Sequence, residues 1–313
     1  MVTSNFTFLS NDKKTKVHAV KWIDENQKIR AILQISHGMV EFIERYAHFA
    51  QFLTQKGYMV VGHDHIGHGE SVDTKEDWGF FCEENPSDIL VEDMHKLRLL
   101  IQEDYPDLPY FMLGHSMGSF LLRKYLGKYH ENLRGAILMG TGFIPHKTTA
   151  LGLKLAHFIG KIRGLHHRSK LIEKLAFGSA YRNFDMTGRQ PEKSWLTKDV
   201  EMVKAYDTEP KCSFMFTVNG YIGLFEAVDY ACNQENVNQY SKKLPIFVVS
   251  GKDDPVGDMG SGVMKTYHML ENAGISDITY KLYENDRHEI LNETDRKQVF
   301  EDLLAWMNVR IET

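Results

Sequence analysis

The sequence predicts an α/β fold built on parallel strands, and three stretches carry that expectation. Residues 29–62 read as strand, amphipathic helix and strand, the spacing of a right-handed parallel crossover. Residues 110–126 read as an apolar strand, a sharp turn through Gly114-His115-Ser116-Met117-Gly118, and a helix. From Leu244 the alternation runs on, with strands at 244–250 and 278–283 and helices around 262–273 and 293–309.

Composition narrows the class. With 313 residues, 42% hydrophobic and 25% charged, the chain can bury a full core as one large α/β domain or two smaller ones. No apolar run reaches the ~18 residues a bilayer span needs. Met1-Val2-Thr3-Ser4-Asn5-Phe6 lacks a basic and apolar leader, so no secretory signal is read and a cytoplasmic location is expected. Cys82, Cys212 and Cys232 show no metal or redox spacing, which fits free thiols. A net charge of −5 argues against nucleic acid as a partner.

In chain order, residues 6–9 and 17–22 form an N-terminal hairpin, and 29–36 is a stronger strand running into the turn His37-Gly38-Met39-Val40-Glu41. Apolar residues at 46, 49, 50 and 53 define a helix over 46–56, which Gly57 ends before the buried strand 59–62. His63, Asp64, His65 and His68 invite a metal reading. Side chains diverge at an extended strand end, so a hydrogen-bonded turn is expected there instead. Asn85 is read as the N-cap and Pro86 as the first residue of a helix reaching about Tyr105, and 135–139 is a further buried strand.

From Ile144 to about Tyr221 the alternation lapses, so 144–225 reads as a cap inserted between core segments 1–143 and 226–313. Leu151, Leu155, Phe158 and Ile162 share a helical stripe expected to line a tunnel or hold the cap down. Gly160 and Gly164 suggest two short helices. Lys147, Lys154, Lys161 and Arg168 share a second stripe, and 145–190 holds nine Lys or Arg against two acids, net +7, leaving −12 for the rest. Such a stripe is either a solvated face or a site of transient contact with an anionic membrane surface.

The chemistry centres on Ser116. A serine hydroxyl needs a base to take its proton, and the base needs a carboxylate to hold its tautomer. In this fold class the partners follow later strands, acid before histidine. His288 in Asn285-Asp286-Arg287-His288-Glu289 is the base, and Asp253 or Asp254 the acid. Asp286 is too near His288 in sequence to reach it easily. The oxyanion of an acyl-transfer intermediate needs two N–H donors. Met117, at the start of a helix, supplies one and Met39 the other. Gly38 and His115 flank these positions and are counted as substrate-binding.

Ser36-His37-Gly38-Met39-Val40-Glu41, Glu44-Arg45-Tyr46, the stretch from His63 to Ser71 and Gly114-His115-Ser116-Met117-Gly118 together resemble the monoacylglycerol lipase and lysophospholipase group of α/β-hydrolases, in the serine aminopeptidase-like family. Gly251-Lys252-Asp253-Asp254-Pro255-Val256-Gly257-Asp258 is similar to the acid loop of its bacterial lysophospholipase members, and Arg287-His288-Glu289 to its histidine loop. The resemblance implies a mostly parallel eight-stranded sheet with helices on both faces and an inserted helical cap. It also implies ester hydrolysis without metal or cofactor on single-chain acyl esters with a small polar head, and it selects Asp254 as the acid. Met39-Val40 departs from the small residue and glycine usual in the monoacylglycerol lipases, which leaves the alcohol open. The rival readings are a peptidase or amidase with the same triad, disfavoured because Glu173 and Asp185 are the only acids in 145–190, and a non-catalytic ligand-binding member of the fold.

Overall fold

The structure, a computed structural model, describes residues 1–311 apart from the side chain of Ser179. The strands are β1 (Val2–Leu9), β2 (Lys16–Ile23), β3 (Ala31–Ser36), β4 (Tyr58–His63), β5 (Tyr110–His115), β6 (Gly135–Met139), β7 (Ile246–Gly251) and β8 (Ile278–Tyr283). They form one sheet in the order β1-β2-β4-β3-β5-β6-β7-β8. β1 and β2 are an antiparallel hairpin, and β2 joins β4 antiparallel. Every later pairing is parallel, as Ile35↔Leu113 and Leu138↔Val248 illustrate.

The helices that cover the sheet are α1 (Ala47–Thr54), α2 (Pro86–Asp104), α3 (Met117–Leu126), α4 (His146–Arg163), α5 (Lys170–Ala176), α6 (Val200–Thr208), α7 (Val218–Ala231), α8 (Gln234–Val237), α9 (Ser261–Asn272) and α10 (Arg296–Ile311). Alternate strand residues enter two separate cores. In β3, Ile32 joins the core beneath α2, α3, α7 and α9, while Ala31, Leu33 and Ile35 join the one beneath α1 and α10. A strand covered on both faces is apolar at most positions, which is why the central strands read as near-continuous hydrophobic runs; Gln34 of β3 is buried with its amide donating to the Met94 carbonyl. Among the described residues no helix is long and apolar enough to cross a membrane.

Asn85 and Pro86 stand where expected at the start of α2, but local details there and in α4 differ. Asn85 stands at the N-cap of α2 but is left-handed, at φ 50°, and its side chain makes no cap bond; Pro86 at the first helical position supplies the pre-set backbone instead. Helix α4 is continuous from His146 to Arg163, with Gly160 buried inside it against Leu165 and Val218, and only Gly164, at φ 88°, ends it. Of its apolar stripe Leu155 packs against the core and the other three residues face solvent. Leu151, Phe158 and Ile162 are 69%, 63% and 64% exposed. The inner face carries small residues, Thr149, Ala156 and Gly160, and Gly152 seats against the ring of Phe225 on α7. Short side chains allow the closest approach of two helices, so α4 turns that face inward and its bulky face outward. Arg168 lies beyond the helix, its guanidinium donating to the carbonyls of Met215 and Glu76. Helix α7 runs through residue 225 without a break and packs against both α4 and α3.

Ile137 lies at the centre of the sheet with no exposed surface. Ile137→Ala is expected to lower stability by about 2–5 kcal/mol, read as a lower urea midpoint at constant slope; an unchanged midpoint would show that the second core does not hold the sheet.

Candidate active site

Ser116 stands at the tip of the turn between β5 and α3, with its backbone at φ 52° and ψ −119°. For a residue with a side chain that region costs on the order of 1–3 kcal/mol, so the surroundings must hold it. Its N–H donates to the Met139 carbonyl at 2.9 Å, and its own carbonyl accepts from the Ser119 hydroxyl at 2.6 Å. The glycines on either side allow the close fit. A Cβ at Gly118 would lie 2.1 Å from the Ser36 carbonyl oxygen, and one at Gly114 would lie 2.3 Å from that of Gly118. Met117 opens α3, so its N–H has no partner within the helix.

Ser116 follows β5, Asp254 follows β7 and His288 follows β8. Because these strands are parallel, the three residues share the carboxyl edge of the sheet, where such folds bind ligands. His288 Nδ1 lies 3.0 and 2.9 Å from the two carboxylate oxygens of Asp254. Asp254 also accepts from the Ser250 hydroxyl and the Val256 N–H. Burial alone would raise this carboxyl, but His288 and the hydrogen bonds outweigh it and hold it below the usual range. An ionised carboxylate only accepts, so Nδ1 of His288 carries a proton, and in the neutral ring the lone pair lies on Nε2. The other two acids stand elsewhere. Asp253 is exposed. Asp286 pairs with Lys198 at 2.6 Å, and burial pushes it up to about 6.

The loop after β3 lies against the serine. A Cβ at Gly38 would sit 3.0 Å from Ser116 Cβ and 3.3 Å from His115 Nδ1. The Gly38 N–H itself donates to Glu41, and Val40 beyond it is left-handed at φ 55°. His115 is buried, with Nδ1 2.9 Å from the Glu41 carboxylate and its ring 4.7 Å from that of His288.

Trp195 was not legible as a site residue. Its ring lies 4.9 Å from the His288 imidazole, its carbonyl accepts the His288 N–H, and Leu196 accepts the Glu289 N–H. Arg287 donates to the carbonyls of Ser194, Thr197 and Glu192. Five backbone or guanidinium hydrogen bonds thus join 192–197 to the histidine loop, and no periodicity in the sequence announces them. Beside Trp195 opens a cavity of about 380 Å³. Met39 and Val40 form one wall, and every other lining residue falls between 173 and 221. Phe177, Met186, Trp195, Val203, Phe214 and Tyr221 make it largely apolar, with Glu173, Asp185 and Asp207 as its carboxylates.

Behind the site His37, His63, His65 and His68 cluster, with the His37 and His65 ring centres 4.5 Å apart. His37 Nε2 accepts from the His65 N–H, and the Ser36 hydroxyl meets His65 Nε2. Neither nitrogen of His63 has a hydrogen-bond partner among the described residues. Burial drives all four imidazoles toward the neutral form, His63 and His68 down to about 3.

The family profile described as serine aminopeptidase, S33 matches residues 27–295. A monoacylglycerol lipase of Mycolicibacterium smegmatis is 26% identical over 279 residues, covering 89% of this chain and 88% of its own. A monoglyceride lipase of Homo sapiens is 26% identical over 289 residues, covering 91% and 84%. Among solved structures, a highly thermostable carboxyl esterase from Bacillus coagulans in complex with glycerol superposes with a TM-score of 0.89 at 28% identity, covering 99% of both chains.

The buried charges give the stability a defined pH dependence. Histidines kept neutral by folding take protons more readily when unfolded. The four-imidazole cluster therefore withdraws stability as pH falls from 6.5 toward its folded values. Asp254 and Glu41, both lowered, add to the loss as pH falls through theirs. Asp93 and Asp286, raised by burial to about 6, oppose it between 3.8 and 6 but are outnumbered. His18 is raised by its hydrogen bond to Asp64. His115 is lowered by burial but raised overall by Glu41. Both contribute fully below 6.5 and lose that contribution as pH rises through their folded values. The melting temperature is expected to peak near pH 6.5 and fall on both sides, with a shallower acid limb in His63→Phe. A flat profile from pH 4.5 to 8 would contradict the neutral buried cluster.

Proposed function

We propose that this chain, which belongs to the serine aminopeptidase family of α/β-hydrolases and is a hydrolase, cleaves carboxylic esters of a single acyl chain such as monoacylglycerols or lysophospholipids. The observation that carries the reading is the buried His288–Asp254 pair at the same sheet edge as a serine held in a strained strand-to-helix turn. In the proposed mechanism Ser116 Oγ attacks the ester carbonyl as its proton passes to His288 Nε2, and the N–H groups of Met117 and Met39 hold the oxyanion. The intermediate collapses, the alcohol leaves with the proton from His288, and a water activated by the same imidazole releases the acid. The Asp254 carboxylate stabilises the imidazolium formed in each half. No step calls for a metal or cofactor.

The apolar lining favours an acyl chain as the occupant of the cavity, whose size falls within the range of small-molecule sites. We propose that residues 144–225 act as the cap that encloses it, over a core of 1–143 and 226–313. Glu173, Asp185 and Asp207 on its wall favour a second reading, an amidase that holds the amine of a peptide-like substrate. The exposed Leu151, Phe158 and Ile162 of α4, beside Lys154 and Lys161, suit transient contact with an anionic membrane.

Turnover should be measured on a panel of p-nitrophenyl and glyceryl esters of varied chain length, beside an aminoacyl anilide. Esters are expected to dominate, and preference for the anilide would select the amidase reading. Ser116→Ala is expected to lose about 10⁴-fold or more in kcat, and fluorophosphonate labelling of the native chain should disappear in it. Wild-type turnover in that variant would reject Ser116 as nucleophile. In a second experiment, the protein should sediment with phosphatidylglycerol vesicles at low salt and less so as Phe158→Ser/Ile162→Ser. Equal sedimentation of both proteins, or none by the wild type, removes α4 as the contact.

A further inference from the structure

Behind the oxyanion loop lies a buried ionic array that the proposed reaction leaves without a task. Glu41 is its hub. One carboxylate oxygen accepts from the Gly38 N–H at 2.5 Å and the Tyr46 hydroxyl at 2.9 Å, and lies 2.9 Å from His115 Nδ1. The other accepts from Arg45 at 3.0 Å. Arg45 in turn clasps both oxygens of Glu289 at 2.7 Å, and Glu289 is the residue after His288. Glu41 and Glu289 are 3% and 4% exposed. Burial would raise both carboxyls, but His115 and Arg45 for Glu41, and Arg45 for Glu289, hold them below the usual range.

One buried carboxylate therefore grips the oxyanion loop through Gly38 and the residue before the nucleophile through His115. Through Arg45 it also reaches the loop that bears His288. The gripped turn is strained, because Val40 is β-branched and left-handed, a conformation that persists only under external restraint. From the cavity side Tyr206 of α6 supplies a second restraint. Its hydroxyl donates to the Val40 carbonyl at 3.0 Å, and its ring lies 4.8 Å from the Arg45 guanidinium.

We infer that Glu41 and Tyr206 are positioning residues that hold the strained 37–41 turn from its two sides, so that the Met39 N–H points at the oxyanion while Arg45 and Glu289 lock the same register into the histidine loop. This rests on the ester-hydrolase reading and on Met39 as oxyanion donor. Glu41 lies outside the cavity, while Tyr206 stands on its wall with its hydroxyl donating to the Val40 carbonyl.

The test compares Glu41→Ala, Glu41→Gln and Tyr206→Phe on p-nitrophenyl butyrate, with phenylboronic acid as the tetrahedral-adduct probe. Glu41→Ala is expected to lose kcat by about 10²–10³-fold, the scale of a lost oxyanion donor, with KM moving less than about threefold. Glu41→Gln keeps an acceptor for the Gly38 N–H and should recover at least about tenfold of that loss. Boronate affinity should weaken in step with kcat. A merely structural role would lower the melting temperature while leaving kcat per folded molecule and boronate affinity unchanged, and that result overturns the inference. If Glu41→Ala does not fold, Tyr206→Phe decides. About a tenfold loss of kcat is expected there, and wild-type kcat overturns the inference. The wild type separates the two levels. A native chain that neither turns over the ester nor reacts with a fluorophosphonate rejects the ester-hydrolase reading itself.

Discussion

A single backbone angle organises this molecule. With Ser116 at φ 52°, the chain reverses from strand to helix within one residue, and α3 is brought down onto the sheet so tightly that the Gly118 position leaves no room for a methyl group beneath the Ser36 carbonyl. That close approach fixes β3 against β5 and the loops after both. The 37–41 turn thereby meets the serine, and the strand ends that carry Asp254 and His288 line up along the same edge. The strain is local, but what sustains it is spread through two hydrophobic cores and a buried ionic array.

The core was legible because each of its signals is local. The run 31–36 is apolar but for the buried Gln34 and Ser36 since both faces of that strand are covered, and Gly114 and Gly118 bracket the serine because a turn of that shape admits nothing larger. The hairpin, the parallel crossover and the last two strands all fall where periodicity puts them. Asp254 was harder. Sequence spacing left it level with Asp253, and what separates them in space is that one is buried beside an imidazole while the other is exposed.

What stayed hidden depends on contacts between distant segments. Trp195 covers His288 from almost a hundred residues away, and Glu41 and Arg45 stood in plain view in the sequence without any sign of what they grip. Helix α4 misleads for a related reason. Hydrophobic periodicity identifies two faces of a helix but not which one turns inward. The small side chains of Thr149, Ala156 and Gly160 decide it by letting α7 come close, and that choice leaves Phe158 and Ile162 in water.

The anchorage between 192–197 and the histidine loop limits how the molecule can breathe. Arg287, His288 and Glu289 all clasp main-chain oxygens of that stretch. A rigid hinge that swung the whole of it outward would drag the imidazole from its aspartate and switch the enzyme off at the moment of admission. The stretch is thus a doorpost, not a door. The cavity's other walls are held differently: the loop around Met186 meets the histidine loop through the Phe184 ring beside the Arg287 guanidinium, a contact softer than main-chain hydrogen bonds.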